Sequence, residues 1–230
     1  MNSVNLLSRI TEQNASLDSM IDQGQIFIVS APSGSGKTTL VKKLLAEDQG
    51  LTFSISYTTR QPRGKEQDGV EYFFVSKAVF QEMILRNEFL EHATVFGYFY
   101  GTVRRCVEKN IAKGQDLLLD IDTKGATQVK EKLPTAISIF IMPPSYAALK
   151  QRLEKRRLDS SETIRRRLES ASQEEIHQFS NYDYVVINDD LTQSCDQIRC
   201  IVQAERCRLA RSLHAIKLIL KSFGGHSIDE

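Results

Sequence analysis

The residues best suited to chemistry lie in one short stretch, SAPSGSGKTT. Gly34 and Gly36 allow a tight turn whose backbone N–H groups point inward, and such a turn at the start of a helix binds phosphate. Lys37 adds a positive charge, and Thr38 carries a hydroxyl of the kind that coordinates the magnesium ion of a nucleoside triphosphate. Ala31 replaces the first glycine of the usual G-x-x-x-x-G-K-[ST] pattern, which a small residue tolerates unless its backbone is left-handed. The stretch predicts a phosphate-binding loop.

The elements around this loop must place it between a strand and a helix. The apolar run IFIV precedes it and an amphipathic pattern follows. Strands and helices then alternate along the chain, which predicts an α/β fold with a largely parallel sheet. LTFSISYTTR is predicted as one strand, EFLEHATVFGYFYGT as paired strands with Gly97 at their turn, and SSETIRRRLESASQEEIHQFS as one helix. Apolar spacing from Leu191 onward predicts one long C-terminal helix.

A second set of cations follows the first helix. The segment SYTTRQPRGKEQDGVEY places Arg60, Arg63 and Lys65 around a turn, with Tyr72 close by. Guanidinium groups grip phosphate oxygens in pairs, and a tyrosine hydroxyl adds a neutral donor. The residues alone therefore predict an enzyme of nucleoside triphosphates with a second anion site, and they leave the second ligand open.

Composition bounds the remaining classes. The chain has 230 residues with 30 Lys plus Arg against 29 Asp plus Glu, a net charge of +1, so no basic field predicts a nucleic-acid partner. No apolar run has the length of a membrane span. The four cysteines lack C-x-x-C spacing, which favours reduced thiols and a cytoplasmic location. An apolar face with basic flanks near the C-terminus favours a homodimer.

Six blocks make the chain resemble guanylate kinases, which are P-loop nucleoside monophosphate kinases. The blocks occur in the family's order and cover about residues 25–208: SAPSGSGKTT, SYTTRQPRGKEQDGVEYFFV, NEFLEHATVFGYFYGT, LLLDIDTKGATQV, RLEKRRLDSSETIRRRL and VVINDDL. The resemblance implies a mainly parallel five-stranded sheet flanked by helices, with a mixed-β GMP-binding insertion and a helical lid. It implies transfer of the γ-phosphoryl group of ATP to GMP, with Mg²⁺, in purine nucleotide metabolism.

The same resemblance implies a domain plan. The guanylate kinase-like domain covers 24–208, and its parts are a core (24–55, 103–145 and 181–208), a GMP-binding part (56–102) and a lid (146–180). Residues 1–23 form an N-terminal extension, and 209–230 form a C-terminal helical extension and tail.

On the acceptor side, the resemblance implies three groups of site residues. The GMP phosphate is held by Ser56, Arg60, Arg63, Tyr72 and Tyr100. The guanine base is read by Glu91, Thr102 and Asp122, while Glu66 organises the arginines. Guanine presents N–H donors along one edge and an ionised carboxylate only accepts, whereas adenine would leave a buried carboxylate unpaired.

On the donor side, the resemblance places the phosphates of ATP in the loop. The ATP-binding residues are Ala31, Pro32, Ser33, Gly34, Ser35, Gly36, Lys37, Thr38 and Thr39, with Asn188 near the adenine. The catalytic residues are Lys37, Arg60, Arg156 and Arg167. Thr38 and Asp120 hold Mg²⁺, largely through water.

Two other functions stay open at this point. One is a catalytically silent guanylate kinase-like module that binds peptides, which the retained G-K-T core of the loop opposes. The other is a kinase for AMP or a pyrimidine monophosphate, which Glu91 and Asp122 oppose. In each kinase the acceptor phosphate is already ionised near neutral pH, so no side chain need remove a proton.

Overall fold

The computed structural model describes residues 23–155 and 160–223. Nine strands in this part of the chain form two sheets. The strands are β1 (Ile26–Ser30), β2 (Leu51–Phe53), β3 (Tyr57–Thr58), β4 (Phe73–Phe74), β5 (Phe89–Val95), β6 (Tyr98–Val103), β7 (Asp116–Asp120), β8 (Ile137–Met142) and β9 (Tyr184–Ile187). The first sheet has the order β2-β7-β1-β8-β9 and all of its pairings are parallel, so the predicted five-stranded parallel sheet is confirmed.

Helices cover both faces of this sheet, and four of the eight in the described residues pack on it: α1 (Lys37–Glu47), α3 (Arg104–Ile111), α4 (Thr123–Lys132) and α7 (Leu191–Arg206). The other four are α2 (Lys77–Leu85), α5 (Tyr146–Lys155), α6 (Ser161–Ser170) and α8 (Leu209–Ser222). Alternate residues of β1 point to opposite faces, so Phe27 and Val29 pack with α1 and α7 while Ile28 packs with α3 and α4. Two apolar layers therefore hold β1, and the loop that follows it, at the centre of the sheet.

The second sheet is the predicted mixed-β insertion. Its order is β4-β3-β6-β5, with one parallel and two antiparallel pairings. The prediction of a single strand over LTFSISYTTR is wrong, because β2 belongs to the first sheet and β3 to the second. After β2, the amide of Ser54 still donates to the Leu118 carbonyl at 2.9 Å, and Tyr57 then pairs with Gly101 of β6. The chain thus crosses between the sheets within four residues.

The helical lid also departs from the prediction of uniform winding. The helix α6 begins at its N-cap Ser160, whose Oγ accepts the amide of Thr163. After α6 the chain continues as a π-helical turn (Ala171–Glu175) and a 3₁₀ helix (Ile176–Asn181). Such turns widen a helix locally and often occur at functional sites.

The prediction of one long C-terminal helix is wrong, because the chain breaks between α7 and α8. Arg206, at the end of α7, donates its Nε to Asp116 Oδ2 at 2.7 Å, and Arg211 donates to Asp116 Oδ1 at 2.9 Å. Five residues of an unbroken helix would turn these two side chains about 140° apart. Arg208 takes an extended conformation (φ −57°, ψ 138°), and both arginines then reach one carboxylate.

Asp116 is buried at the start of β7 and provides the first prediction. Burial opposes its ionisation, but hydrogen bonds from Arg206, the Gln25 amide and Arg211 outweigh it and hold the pKa of Asp116 below its ordinary value. A lowered pKa stabilises the fold at pH values above the unfolded pKa, and this contribution is lost as the pH falls through the folded pKa. We expect Asp116→Asn to lower the free energy of unfolding by about 2–3 kcal/mol at pH 7.

Urea denaturation at pH 7 and at pH 3.5 measures the difference in the free energy of unfolding between the wild type and Asp116→Asn. This difference should be smaller at the lower pH. Glu162→Gln is the matched control, since Glu162 pairs with Arg166 on an exposed helix face. Exposed pairs of this kind contribute about 0–1 kcal/mol. Equal losses in the two variants would contradict the role given to Asp116.

Among the described residues, no helix combines the length and the apolar character needed to cross a bilayer. The four cysteines are free; Cys195 is buried and the other three are exposed.

Candidate active site

The predicted phosphate loop lies between β1 and α1, at the carboxyl edge of the parallel sheet. Gly34 and Gly36 have φ values of 97° and 93°, a left-handed region that favours glycine. A Cβ on Gly36 would lie 2.4 Å from Asn188 Nδ2, so a larger residue would also clash. Ala31 is buried and has no positive φ, which explains why alanine fits there.

Lys37 begins α1 and points across the loop. Its Nζ lies 2.6 Å from Asp120 Oδ1 and donates to the Ile121 carbonyl at 2.8 Å. Thr38 is exposed in the first turn of α1, and Thr38 and Asp120 both line the cleft. The Lys37 ammonium, the Thr38 hydroxyl and the Asp120 carboxylate therefore lie together at the phosphate loop.

Arg60 is the centre of the second cation cluster. Its guanidinium donates to both oxygens of Glu66, at 2.9 and 3.0 Å, and its Nε donates to the Tyr100 hydroxyl at 3.2 Å. The ring of Tyr72 lies 5.4 Å from the guanidinium carbon. The Arg63 amide also donates to Glu66, at 2.8 Å, while the Arg63 side chain is exposed.

The ionisation states of this cluster suit anion binding. Partial burial opposes the ionisation of Glu66, but hydrogen bonds from Arg60 and the Arg63 amide lower its pKa overall. Burial raises the pKa of Tyr72, so its hydroxyl stays a neutral donor at neutral pH. Ser56 is buried beside the cluster, with its Oγ 3.4 Å from Thr102 Oγ1. Glu66 thus holds the Arg60 guanidinium and the Arg63 backbone in place, while Ser56, Tyr72 and Tyr100 line the cleft.

Two carboxylates, those of Glu91 and Asp122, line the same cleft as the phosphate loop. Glu91 in β5 is 2% exposed, and Thr102 donates to its Oε1 at 2.6 Å. Asp122 caps α4 by accepting the Gly125 amide at 2.7 Å. A Cβ on Gly125 would lie 2.5 Å from Glu91 Oε2 and 3.2 Å from Asp122 Oδ1, so the glycine makes room for both acids.

Burial and, to a smaller extent, the charge of Asp122 raise the pKa of Glu91 to about 7, against the hydrogen bond from Thr102. A buried carboxyl with a displaced pKa in a cleft is a feature of binding and catalytic sites.

The helix α6 and the π-helical turn after it contact the phosphate loop. Arg167 of α6 is 8% exposed, and its guanidinium donates to Ser33 Oγ at 3.3 Å. Glu175, at the end of the π-helical turn, accepts the Ser33 amide at 3.2 Å and the Ser170 hydroxyl at 2.7 Å. The guanidinium of Arg167 also lies over the ring of Phe96, 5.2 Å from its centroid.

Sequence reasoning missed Glu175 and Phe96. Nothing in the sequence marks Glu175, because its position depends on the π-helical turn. Phe96 carries a weak signal, because the residue before glycine in a two-residue hairpin turn is usually asparagine.

The structure brings most of the predicted site residues to one cleft of about 570 Å³. Those that line it are Ala31, Pro32, Ser33, Gly34, Gly36, Lys37, Thr38, Ser56, Tyr72, Glu91, Tyr100, Asp120, Asp122 and Arg167. Asn188 is buried behind the loop and donates to the Ser35 carbonyl at 2.6 Å, so its predicted adenine contact stays a prediction. Arg156 lies outside the described residues.

A phosphate loop follows the central strand of a parallel sheet and shares its cleft with residues of a separate sheet, among them the buried acid Glu91. This arrangement defines a P-loop phosphotransferase. Comparisons with known proteins narrow this class. The family model described as guanylate kinase matches residues 23–205.

The guanylate kinase of Koribacter versatilis is 54% identical over 188 residues, which cover 80% of each chain. That of Hahella chejuensis is 52% identical over 188 residues, covering 82% of this chain and 90% of its own. The crystal structure of guanylate kinase from Anaplasma phagocytophilum matches with a TM-score of 0.73 at 34% identity, covering 90% of this chain and all of that chain. The chain belongs to the guanylate kinase family.

Proposed function

We propose that this chain transfers the γ-phosphoryl group of ATP to a phosphate oxygen of GMP, forming ADP and GDP. The observation that carries the proposal is one cleft that is lined both by the phosphate loop and by two acids, the buried Glu91 and the partly exposed Asp122. The intact loop, with Lys37 Nζ held at the same cleft by Asp120 and the Ile121 carbonyl, argues against a catalytically silent module.

On the acceptor side, Glu91 and Asp122 select guanine. The N1–H and 2-amino groups of guanine donate to carboxylate oxygens, and Thr102 orients Glu91 by donating to its other oxygen. The GMP phosphate binds Arg60, Arg63, Ser56, Tyr72 and Tyr100. Arg60 is held by both oxygens of Glu66, so its guanidinium is fixed before the substrate arrives.

On the donor side, the polyphosphate of ATP binds the loop amides and Lys37. Lys37 exchanges its contact with Asp120 for phosphate oxygens as the nucleotide enters. Arg167, and Arg156 by the family resemblance, add positive charge from the lid. Because the acceptor oxygen is already ionised, the protein's task is to align two anions, neutralise them and exclude water.

The donor set also fits Mg²⁺. Thr38 and Asp120 offer a hydroxyl and one carboxylate, and Mg²⁺ in kinases takes few protein ligands and keeps several waters. When bound with ATP, the ion supplies charge neutralisation at the phosphates.

A coupled assay of ADP release with ATP, Mg²⁺ and GMP tests this function. We expect GMP-dependent ADP release, GDP as the product by chromatography, and much slower release with AMP. Absence of ADP release above that of the Lys37→Ala variant would refute the enzyme. Comparable turnover of AMP and GMP would refute the assignment of the base-reading acids.

The raised pKa of Glu91 predicts a pH effect on GMP binding. The carboxyl gains a proton as the pH falls through about 7, and the neutral acid loses an acceptor for guanine. The KM for GMP should therefore rise by up to about tenfold per pH unit below 7.

Initial rates from pH 5.5 to pH 8.5 measure this rise. Glu91→Gln is the control, since it retains only the titration of the substrate phosphate near pH 6. A wild-type profile that coincides with that of the variant would contradict the prediction.

We further propose the domain plan stated above: core (24–55, 103–145, 181–208), GMP-binding part (56–102) and lid (146–180). The separate second sheet supports the GMP-binding boundaries.

The free thiols support our proposal that the protein is located in the reducing cytoplasm. Exposed apolar side chains on α8 and at its C-cap support a homodimer, which light scattering tests; they include Leu209, Leu218, Ile219 and the C-cap Phe223.

A further inference from the structure

Phe96 occupies an unfavourable position for its type. It lies in the two-residue turn between β5 and β6, with φ of 49° beside Gly97 at 84°. Turns with two positive φ values favour Asn-Gly, and an aromatic residue is strained there. The side chain is 45% exposed, so core packing does not account for the residue either. Strain of this kind, where it is maintained, is associated with functional sites.

The ring of Phe96 contacts Arg167. The guanidinium carbon lies 5.2 Å from the ring centroid, within the range of a cation–π interaction. Arg167 is almost fully buried, so this contact is partly removed from water and correspondingly stronger. The same guanidinium donates to Ser33 Oγ in the phosphate loop. Arg167 is thus held between the ring and the loop that binds the transferred phosphate.

The turn connects this contact to the acceptor side. β5 carries Glu91, β6 carries Tyr100 and Thr102, and the two strands pair along their whole length. A shift of this sheet toward the lid therefore moves Phe96 toward Arg167, while a shift away separates them. The hairpin links the residues that face GMP to a cation that faces ATP.

We propose that Phe96 is a positioning residue for Arg167: the face of its ring orients the guanidinium toward the phosphate loop when the acceptor sheet is closed. This inference rests on the proposed phosphoryl transfer, because it gives Arg167 a role at the donor phosphates. Phe96 contacts neither substrate in this role, and its effect is on kcat and on the KM for ATP rather than on the reading of guanine.

The decisive variant is Phe96→Asn, which suits the turn better than phenylalanine and lacks an aromatic face. We expect its melting temperature to equal or exceed that of the wild type, while kcat falls about tenfold, within the range of a desolvated cation–π contact. The KM for GMP should stay within about twofold of the wild-type value, because a contact that acts in the transition state lowers kcat without changing the binding of GMP. A merely structural residue would lose stability together with activity.

Two further variants separate the aromatic face from side-chain volume. Phe96→Tyr retains the ring and should retain most of kcat, whereas Phe96→Leu retains apolar bulk and should lose it. Tyr98→Leu is the matched control, because Tyr98 is a comparably exposed aromatic residue of the same hairpin. Wild-type kcat in both Phe96→Asn and Phe96→Leu would overturn the proposal.

A double-mutant cycle with Arg167→Gln, which removes the cation from the ring, tests the coupling directly. We expect Phe96→Asn to reduce kcat much less in the Arg167→Gln background, and additive effects would overturn the proposal. A readout independent of turnover is the Nε–Hε NMR resonance of Arg167, which the ring current should displace in the wild type but not in Phe96→Asn. Equal resonances would refute the contact even if GMP proved not to be the substrate.

Discussion

Replacing Lys37 by methionine should lower kcat for GMP phosphorylation by about 10²–10³-fold, the effect of removing one preorganised group that stabilises the charge of a transition state. The structure supplies the reason. Lys37 Nζ lies 2.6 Å from Asp120 and 2.8 Å from the Ile121 carbonyl, so the ammonium is held at the loop before ATP arrives. A methionine keeps most of the side-chain volume and removes only the charge and its donors.

The chain offers a matched control on the same helix. Lys43 pairs with Glu47 at 2.6 Å on the surface of α1, away from the cleft. Lys43→Met removes the same charge from the same helix and should leave kcat unchanged. Steady-state rates at saturating ATP and GMP, with circular dichroism to verify folding, make the comparison. Loss of activity in both variants, or in neither, would contradict the role given to Lys37.

Local sequence was sufficient to predict the phosphate loop. Its requirements are short-range: glycines at two positive φ positions, a strand before and a helix after. The caps at Ser160 and Asp122 are equally local, because a side chain there bonds an amide three residues on. Features set by neighbours in sequence could therefore be predicted.

Features set by distant contacts could not. The break between α7 and α8 depends on Asp116, which is 90 residues from Arg206 along the chain. The split of LTFSISYTTR depends on where β6 and β7 lie. Glu175 reaches Ser33 across 142 residues and only through a π-helical turn. In each case the local pattern is compatible with a regular element, and tertiary contacts decide otherwise.

The family resemblance predicted the role of Glu91, which the residue pattern alone could not indicate. The sequence around Glu91 shows only an acidic residue in an alternating strand, and nothing local indicates that it is 2% exposed. The structure adds the physical cost: burial raises the pKa of this carboxyl to about 7, so the ionised site is unstable until a donor arrives. A carboxylate kept at such a cost suits a ligand that presents N–H groups.

Glu91→Gln should therefore separate function from stability. The amide retains the shape of the side chain but replaces one acceptor by a donor, which meets the N–H edge of guanine unfavourably. We expect kcat/KM for GMP to fall by about 10²-fold or more, since charge-assisted hydrogen bonds contribute about 1.5–3 kcal/mol each. The rate with AMP should not rise to the wild-type rate with GMP, because Asp122 remains.

The Glu91→Gln variant should be more stable than the wild type although it is less active. In the wild type the folded pKa of Glu91, about 7, lies above its ordinary value of 4.5, so the folded state binds more protons between these values and loses stability as the pH rises. Glutamine does not titrate and avoids that loss, which corresponds to about 3 kcal/mol at pH 8. Urea denaturation at pH 5 and at pH 8 should show an advantage of the variant that is larger at pH 8.

Glu88→Gln provides the comparison for both measurements, because Glu88 precedes the same strand and is only half-buried. It should change neither kcat/KM for GMP nor the pH dependence of unfolding. If Glu91→Gln phosphorylated GMP as well as the wild type does, guanine would have to be read by other groups. If Glu91→Gln instead lost stability at pH 8, the buried carboxylate would stabilise the fold rather than destabilise it. The presence of Glu91 would then be explained without a ligand.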